Sequence, residues 1–315
     1  MLAYSLNKLL QLAVTTFGVV TLVFFTLRLI PGDAASAMAG DNLSGEALEA
    51  LREKMGLNEP LLTQFAIYMG DLLTLDFGMT MTTGLSVSKL ILEALPITLS
   101  IALATIVFAV VVSIPLGAMA AYMAHKGRKT LDNLITGLAM ILDLMPSFWT
   151  ALLFLLLLSL SLGWFPASGE VSIEDPEMYL RRIALPVLVL SLNQVAAIAR
   201  ITRTSVLEIL SEDYVRTARS LGWSDLRVLF RHALRNAALP IVTVIGLSFG
   251  NLLNGTIIVE TIFTIPGIGT LLVNGINSRD YQMVQTLMVV YALIFVGINF
   301  ITDLAYRRLD PRVQV

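Results

Sequence analysis

The chain has 315 residues, of which 56% are hydrophobic and only 14% are charged, and its formal net charge is −2. A soluble domain carries about 25% charged residues, so this composition excludes an ordinary soluble fold and indicates a membrane protein. The chain contains no cysteine, which excludes disulfides, thiolate metal sites and cysteine nucleophiles. The net charge says little about partners, whereas the distribution of charges along the chain is informative.

Six apolar stretches are long enough to cross about 30 Å of hydrocarbon as helices. They run from Leu9 to Leu27, Pro96 to Met123, Leu134 to Trp164, Ile183 to Ala199, Asn236 to Val259 and Met283 to Thr302. Each run is continuous rather than alternating in polarity, which is not the pattern of a β-barrel strand. The predicted fold class is an all-α integral membrane protein with six transmembrane helices.

The basic residues of the connections predict the orientation of these helices. With the N-terminus inside the cell, 14 of the 21 Lys and Arg residues lie on the cytoplasmic side. Six lie on the opposite side, and Arg28 stands at the outer end of the first span, from where its side chain can snorkel. Both termini are therefore predicted to be cytoplasmic.

The spans divide the chain into three regions. Residues 1–30 hold an N-terminal segment and the first span; they also resemble a signal peptide, but 19 apolar residues exceed the usual run of about 7 to 15. Residues 31–95 form an external (periplasmic) loop subdomain, with one helix expected between Ser44 and Gly56 and a second from Leu61 to Leu73. Residues 96–315 form a core of five helices.

The segment from Ser211 to Pro240 is charged and lies between two apolar runs, so it must meet something outside the bilayer. Ser211 suits an N-cap and Gly222 suits a left-handed helix end, which predicts a short helix from about Glu212 to Leu221. Ser224 suits the cap of a second helix. We call this pair of helices the central hairpin.

Helical spacing predicts which faces of the central hairpin are buried. Tyr214, Ala218 and Leu221 share one apolar face of the first helix. The second helix has an apolar stripe and a separate basic stripe; the former comprises Leu226, Leu229, Phe230, Ala233 and Ala237, and the latter Arg227, Arg231 and Arg235. The second helix can therefore contact protein or lipid on one side and a charged partner on the other.

Three roles are open for the central hairpin. An amphipathic pair at the membrane surface would use its arginines to hold anionic headgroups. A nucleic-acid role is disfavoured, because acidic residues interleave with the basic ones. Docking to a cytosolic subunit also accounts for the small residues Ala218, Ser220 and Gly222 at the turn, since these permit close approach of another backbone.

Short motifs at intervals along the chain carry a resemblance to a known family. They are Leu29-Ile30-Pro31-Gly32-Asp33, the stretch from Met55 to Leu61, Asp76-Phe77-Gly78, the stretch from Asp213 to Gly222, His232-Ala233-Leu234-Arg235-Asn236, Val259-Glu260-Thr261-Ile262-Phe263, Pro266-Gly267-Ile268-Gly269, Arg279-Asp280-Tyr281 and Leu309-Asp310-Pro311-Arg312. With them, essentially the whole chain resembles the permease subunits of bacterial binding-protein-dependent ABC importers of the dipeptide, oligopeptide and nickel type.

The resemblance implies a type I ABC importer permease fold and a role for the central hairpin. In these permeases the matching segment, here at about residues 207–236, is the EAA loop, which holds a coupling helix seated in the ATPase subunit. Arg216, Thr217 and Ala218 occupy its Glu-Ala-Ala positions. Arg216 and Thr217 depart from the general pattern, as does the stretch after Gly222, in the way habitual for the peptide and nickel branch. The implied coupling residues are Tyr214, Arg216, Thr217, Ala218, Ser220, Gly222, Trp223 and Leu226.

The resemblance also implies the function and the partners. The chain is expected to be a multi-pass inner-membrane subunit that imports di- or oligopeptides, not an enzyme itself. No sequence of the form G-x-x-x-x-G-K-S/T occurs in it, so ATP and Mg²⁺ are expected in partner subunits. The implied partners are a second, homologous permease, two ATP-binding subunits, an extracytoplasmic binding protein and membrane lipid. No cofactor, metal or nucleic acid is expected on this chain.

Polar residues and prolines in or near the spans are candidates for the transport path and its hinges. The candidates for the path or its gate are Asp143, Asn193, Gln194, Asn251, Asn254, Glu260, Arg279 and Asp280. Asp143 either lines the path or pairs with Arg200 or Arg203 as a structural lock; the amides either line the path or bond helices together. The candidate hinges, Pro115, Pro146, Pro186 and Pro240, each lie inside or beside a span.

Three alternatives to peptide import remain. Nickel or metal-chelate import uses the same mechanism, but the two histidines, His125 and His232, both fall on the predicted cytoplasmic side. A secondary carrier is expected to show inverted repeats and ion-coupling acids, which the sequence does not display. An intramembrane hydrolase needs a catalytic pair within the spans, and Asp143 stands alone there.

Overall fold

The computed structural model describes residues 2–29, 35–36, 45–54, 56–167 and 175–309, and there the fold is helical, as predicted. The helices are α1 (Leu2–Leu29), α2 (Gly45–Lys54), α3 (Leu61–Leu73), α4 (Val87–His125), α5 (Lys129–Leu144), α6 (Ser147–Ser161), α7 (Pro176–Leu210), α8 (Asp213–Ser220), α9 (residues 225–236), α10 (Ala238–Ile262), α11 (Ile268–Asn277) and α12 (Tyr281–Leu309). Helices α2 and α3 confirm the two helices predicted between residues 44 and 73. Several predicted features lie outside the described ranges: the proposed cap Ser44, residues 30–33 of the first motif, Met55 of the second motif, and the tail from residue 310.

Among the described residues, five helices are long and apolar enough to cross a membrane: α1, α4, α7, α10 and α12. Helices α5 and α6 reach that length only together, and they meet at an angle of 98°. If this bent pair counts as one span, the number is six, as the sequence predicted.

The bend corrects the expectation of a continuous third span. Met145, the residue directly after α5, has an extended backbone with ψ of 120°, and α6 begins directly after Pro146. A proline lacks the N–H that a helix interior requires and disfavours helical geometry in the residue before it. The local chemistry of Pro146 therefore accounts for the break, and the hydrophobic run alone could not reveal it.

The chain divides into two compact units, and α4 and α12 each contribute to both. Unit 1 comprises Met1–Thr98 with Pro266–Val296. In it, Val20 and Phe24 of α1 pack with Tyr68 of α3 and Val289 of α12. The Phe24 ring lies edge-on to Phe65 at 5.1 Å between centroids and stacks on Tyr68 at 5.6 Å. Aromatic burial thus fastens α3 to the first span.

Unit 2 comprises Leu99–Ile265 with Gly297–Val315. Its helices approach closely where one of them carries glycine. A Cβ added to Gly117 of α4 would lie 2.5 Å from the Ala199 carbonyl oxygen and 2.7 Å from Thr202 Cβ, both on α7. A Cβ added to Gly246 of α10 would overlap the side chain of Thr302 of α12. Small residues of this kind let membrane helices pack backbone to backbone.

The Gly117 contact gives the first prediction. Replacing Gly117 by Ala should destabilise the protein by about 1 to 3 kcal/mol, because the methyl group meets the backbone of α7, which cannot yield without moving the helix. Gly137→Ala in α5 is the matched control, since nothing lies within 4 Å of its added Cβ. Thermal unfolding of the purified complex measures both; equal melting temperatures for the two variants would contradict the close packing.

Candidate coupling hairpin and translocation cavity

The central hairpin consists of α8, a tight turn and α9. Helix α8 begins after Glu212, one residue later than predicted, because Ser211 ends α7 instead of capping α8. Gly222 has a φ of 85°, and the Trp223 N–H donates back to the Ala218 carbonyl at 3.3 Å. This is the left-handed helix end that the sequence predicted for Gly222.

The buried face of α8 differs from the prediction. Val215 is fully buried, whereas Tyr214 is 42% and Leu221 is 74% exposed. Only Ala218 of the predicted face is partly covered. Val215 turns toward the core because it meets apolar side chains of α4, α7 and α9, and this leaves Tyr214 and Leu221 on the outside.

The buried face of α9 is also rotated. Leu229, Ala233 and Ala237 are buried as predicted, but Leu226 is 56% and Phe230 is 46% exposed. Residues Val228–Ala233 form a π-helical stretch, whose wider turns shift the register by which side chains face the core. Val228 fills the core in their place, and an α-helical wheel could not reveal this exchange. Arg227, Arg231 and Arg235 are exposed, as expected for the basic stripe.

A single buried apolar cluster seats the central hairpin on the spans. It joins Val215, Val228 and Leu229 of the hairpin to Val206 and Leu210 of α7. It also contains Ala118 and Ala121 of α4, Ala233 and Ala237, and Ile241 of α10. Because this cluster reaches three of the apolar helices, the hairpin is packed as part of unit 2 rather than suspended from it.

A network of charged side chains borders this buried cluster, which we call the seat of the hairpin. Asp225 accepts from Lys126 Nζ at 2.7 Å and lies 3.4 Å from Arg219 Nε. The Tyr122 hydroxyl also donates to Asp225 at 3.4 Å, and Arg219 Nη1 lies 2.8 Å from His125 Nε2. The hydrogen bond from Lys126, together with the positive charges of Lys126 and Arg219, lowers the pKa of Asp225 below its ordinary value. Asp225 therefore ties the start of α9 to the end of α4 and to α8.

Sequence reasoning did not single out Asp225, although two features pointed to it. Its position directly after the cap Ser224 places it in the first turn of a helix, where a carboxylate is favoured. The basic loop after the second predicted span supplies Lys126 as its partner. The pairing itself depends on how α4 and α9 meet, which no sequence spacing specifies.

The other predicted coupling residues lie at the surface of the hairpin or along its turn. Arg216 pairs with Asp213 at 3.3 Å, and both side chains are largely exposed. Thr217 and Ser220 return their hydroxyls to backbone carbonyls of their own helix. Trp223 packs edge-on against His232, with 4.5 Å between ring centroids. The hydroxyl of Tyr214 accepts from Asn236 at 2.7 Å, which links α8 to the end of α9.

Four predicted pathway residues line one cavity in unit 2. Asn193 and Gln194 of α7 face Asn251 and Asn254 of α10 across a space of about 280 Å³. Ser147 at the start of α6 and Gly255 also line it. Asn193 donates to the Met145 carbonyl at 3.2 Å, a group that the break before Pro146 leaves without a helical partner. The side-chain oxygen of Asn193 is buried with no partner among the described residues.

Two ion pairs fasten α5 to α7. Asp143, a predicted pathway residue, accepts from Arg200 Nη1 at 2.7 Å. About three helical turns earlier in α5, Asp132 accepts two hydrogen bonds from Arg203, of 2.5 and 2.6 Å. The fork geometry of arginine on a carboxylate makes the second pair the stronger. Asp143 thus has the arginine partner that a structural lock requires. The sequence analysis did not select Asp132, because it lies just outside the predicted span.

The three predicted gate residues each occupy a different setting. Asp280 is fully buried in unit 1, where it accepts from the Met81 N–H at 2.7 Å and caps α12 through the Met283 N–H at 3.1 Å. It holds the loop after Asp76-Phe77-Gly78 to the start of α12. Arg279 is exposed, with a φ of 52°, and Glu260 is fully buried within unit 2. The Pro266-Gly267-Ile268-Gly269 motif forms the start of α11, with Ile268 N–H donating to Thr98, rather than only a turn.

The four candidate hinge prolines also differ in setting. Pro146 stands at the 98° break. Pro115 and Pro186 lie inside α4 and α7, which run on through them. Pro240 is in the first turn of α10, where the missing N–H leaves no helical bond unmade. The local structure therefore distinguishes Pro146, while a hinge at any of the four stays a prediction.

Comparison with known proteins identifies the class. Residues 113–315 match the binding-protein-dependent transport system inner membrane component, and residues 1–102 match the N-terminal part of such membrane components. A putative peptide transport system permease protein of Brucella abortus is 38% identical over 315 residues, covering 100% of this chain and 99% of its own. The dipeptide transport system permease protein DppB of Alkalihalophilus pseudofirmus and the oligopeptide transport system permease protein AppB of Bacillus subtilis are each 36% identical, with both chains covered fully.

A solved structure gives the fold. The MetNI methionine ABC transporter in an inward-facing conformation matches with a TM-score of 0.59 at 15% identity, over 70% of this chain and 96% of that chain. The fold is that of an ABC importer permease. The chain belongs to the family of binding-protein-dependent transport system inner membrane components and is a multi-pass protein of the bacterial inner membrane, which confirms the resemblance seen in its motifs.

The Asp225 network gives the second prediction. Asp225→Asn should lower stability at pH 7 by about 1 kcal/mol, because partly exposed ion pairs contribute little each. Since folding lowers the pKa of Asp225, its stabilising contribution is complete above about pH 5, roughly one unit above the unfolded pKa, and is lost as the pH falls from there through the folded pKa. The difference in melting temperature between wild type and variant should therefore close between pH 5 and strongly acidic pH. A difference in melting temperature that persists at strongly acidic pH would contradict this prediction. Asp213→Asn is the control, because the Asp213 side chain is 94% exposed beside Arg216 and its loss should change the melting temperature little.

Proposed function

We propose that this chain is one of two permease subunits of an ATP-driven importer of short peptides, and that separate subunits, docked on the central hairpin, hydrolyse the ATP. The chain itself forms half of a transmembrane path and carries force rather than chemistry. An extracytoplasmic binding protein delivers the peptide to the face opposite the hairpin. The observation that carries the proposal is the central hairpin, which is seated firmly on one side and exposes apolar groups on the other.

The exposed side of the hairpin has the composition of a docking surface. Tyr214, Leu221, Leu226 and Phe230 all expose large apolar or aromatic side chains on a segment outside the spans. Exposed apolar groups rimmed by charge mark protein interfaces, and Arg216, Arg227 and Arg231 provide such a rim. The side chains that the sequence predicted to be buried are thus the ones available to a partner. An ATPase subunit is the partner that the family supplies.

The buried cluster beneath the hairpin supports a role in transmitting movement from the ATPase subunits to the spans. Closure of two ATPase subunits around ATP displaces whatever is fixed to them. A segment that shares a buried cluster with α4, α7 and α10 passes that displacement to the spans, because packed interiors deform little. Arginines that only held lipid headgroups would need no such seat.

The cavity in unit 2 that four amide side chains line, which we call the amide cavity, supports peptide as the substrate. Asn193, Gln194, Asn251 and Asn254 offer both donors and acceptors without net charge. Peptide bonds present the same donors and acceptors at every residue, whatever the side chain. A cavity lined in this way suits substrates that share a backbone and differ in side chains. The full-length similarity to chains named as peptide transport permeases supports the same assignment.

The proposal is tested in liposomes with the companion permease, both ATPase subunits and the binding protein. Short peptides should stimulate ATP hydrolysis, and Gly222→Arg should reduce the stimulated rate at least about tenfold while the complex stays assembled, because the new side chain projects into the docked subunit. Gly163→Arg is the matched control: its φ is 64°, that of Gly222 is 85°, and neither has an atom within 4 Å of an added Cβ. Equal loss in both variants would reduce the effect to backbone strain.

The same assay tests the substrate. Stimulation by nickel or a nickel chelate, with no response to peptides, would overturn the peptide assignment while leaving the importer intact. Failure of the ATPase subunits to associate with wild-type chains would overturn the importer and the role of the hairpin together.

A further inference from the structure

A second cavity, of about 420 Å³, lies in unit 1 and shares no lining residue with the central hairpin or the amide cavity. It is lined by Arg28 at the end of α1, Arg52 of α2, Gln64 of α3, and Gln282 and Gln285 of α12. Its size falls within the range of small-molecule sites, about 300 to 1,000 Å³. Four apolar side chains, three of them leucine, complete much of the wall.

Arg28 is held in one orientation. Its guanidinium lies over the Phe24 ring, with Cζ 3.4 Å from the centroid. Nε donates to Gln64 Oε1 at 2.9 Å, and Nη1 donates to Gln285 Oε1 and to the Phe24 carbonyl, both at 3.3 Å. Gln64 is itself fixed, because its amide donates to the carbonyls of Leu57 and Glu59. These contacts preorganise the guanidinium in one orientation at the wall of the cavity.

The partners of Arg28 leave its charge unneutralised. The two amides and the carbonyl are neutral, and among the residues that the structure describes Nη2 donates to none. A half-buried cation whose described protein partners are all neutral favours an anion beside it. The planar guanidinium fork matches the two oxygens of a carboxylate or a phosphate.

From this geometry we infer that the Arg28 cavity is a binding site for an oxyanion, either the terminal carboxylate of a short peptide or the phosphate of a lipid headgroup. Arg28 supplies the charge-assisted bonds, Gln282 and Asn58 supply neutral hydrogen-bonding groups, and the apolar wall contacts the rest of the ligand. The position of Arg28 at the end of an apolar helix is compatible with both sources. Only the peptide source rests on the proposed function.

The test uses the complex of both permeases and the ATPase subunits in detergent, without the binding protein, and measures shifts in melting temperature. The probes are phosphatidylglycerol, phosphatidylcholine, dialanine and dialanine amide. Stabilisation by phosphatidylglycerol beyond phosphatidylcholine identifies a lipid phosphate accompanied by net negative charge. Stabilisation by dialanine but not by its amide identifies a carboxylate.

Two variants assign the effect to this cavity. Arg28→Gln should weaken the apparent affinity for the active probe at least about tenfold, the effect of losing a charge-assisted contact. Gln285→Glu keeps Arg28, provides an internal carboxylate in contact with it and should also weaken the probe, so it tests the site even where Arg28→Gln folds poorly. Arg181→Gln, at a 68% exposed arginine paired with Glu177, is the control and should bind as wild type does.

The inference is overturned if no oxyanion probe stabilises the wild-type complex, or if Gln285→Glu and a folded Arg28→Gln both bind the probe as wild type does. Because this assay requires neither ATP hydrolysis nor transport, such a failure would leave the proposed importer function standing. Conversely, absence of peptide-stimulated hydrolysis together with intact probe binding would count against the proposed importer function and leave the oxyanion site standing.

Discussion

The buried apolar cluster beneath the central hairpin is the contact on which the rest of the account depends. Val215, Val228 and Leu229 pack against α4 and α7, and the first turn of α10 joins the same cluster. A hairpin attached only through its two chain ends could swing without moving the spans. The buried contacts of the cluster, together with the ion pair between Asp225 and Lys126, instead hold the hairpin directly against the spans. In the importer we propose, this packing is the route by which a cytosolic partner moves the spans.

The break at Pro146 leaves backbone polar groups without helical partners inside an apolar segment, and these groups need other partners. The structure compensates from α7: Asn193 bonds the Met145 carbonyl, while Arg200 and Arg203 hold the two acids of α5. The same helix therefore stabilises the bend and presents Asn193 and Gln194 to the amide cavity. A displacement of α7, whose end is part of the seat of the hairpin, reaches this cavity without an intermediate element.

The sequence predicted what depends on local chemistry. Hydrophobic length located the spans, and Gly222 located the end of α8, because few other residues adopt its φ of 85°. It could not predict what depends on tertiary contacts. The π-helical stretch in α9 exchanged Val228 for Leu226 and Phe230 in the core, and the pairing of Asp225 with Lys126 required two distant segments to meet. The convergence of four amides on one cavity was likewise invisible in their spacing, although each residue had been singled out.

The most direct test of the rigid seat is to fix the hairpin covalently to α4. The chain has no cysteine, so in Lys126→Cys/Asp225→Cys, at two positions whose native side chains approach to 2.7 Å, a short thiol-reactive cross-linker joins only these positions within the chain. If the hairpin and the spans move as one body, the cross-linked complex should retain the peptide-stimulated ATP hydrolysis of the same variant before cross-linking. Loss of that stimulation in a complex that stays assembled would show that the hairpin must move relative to α4, and would contradict the account.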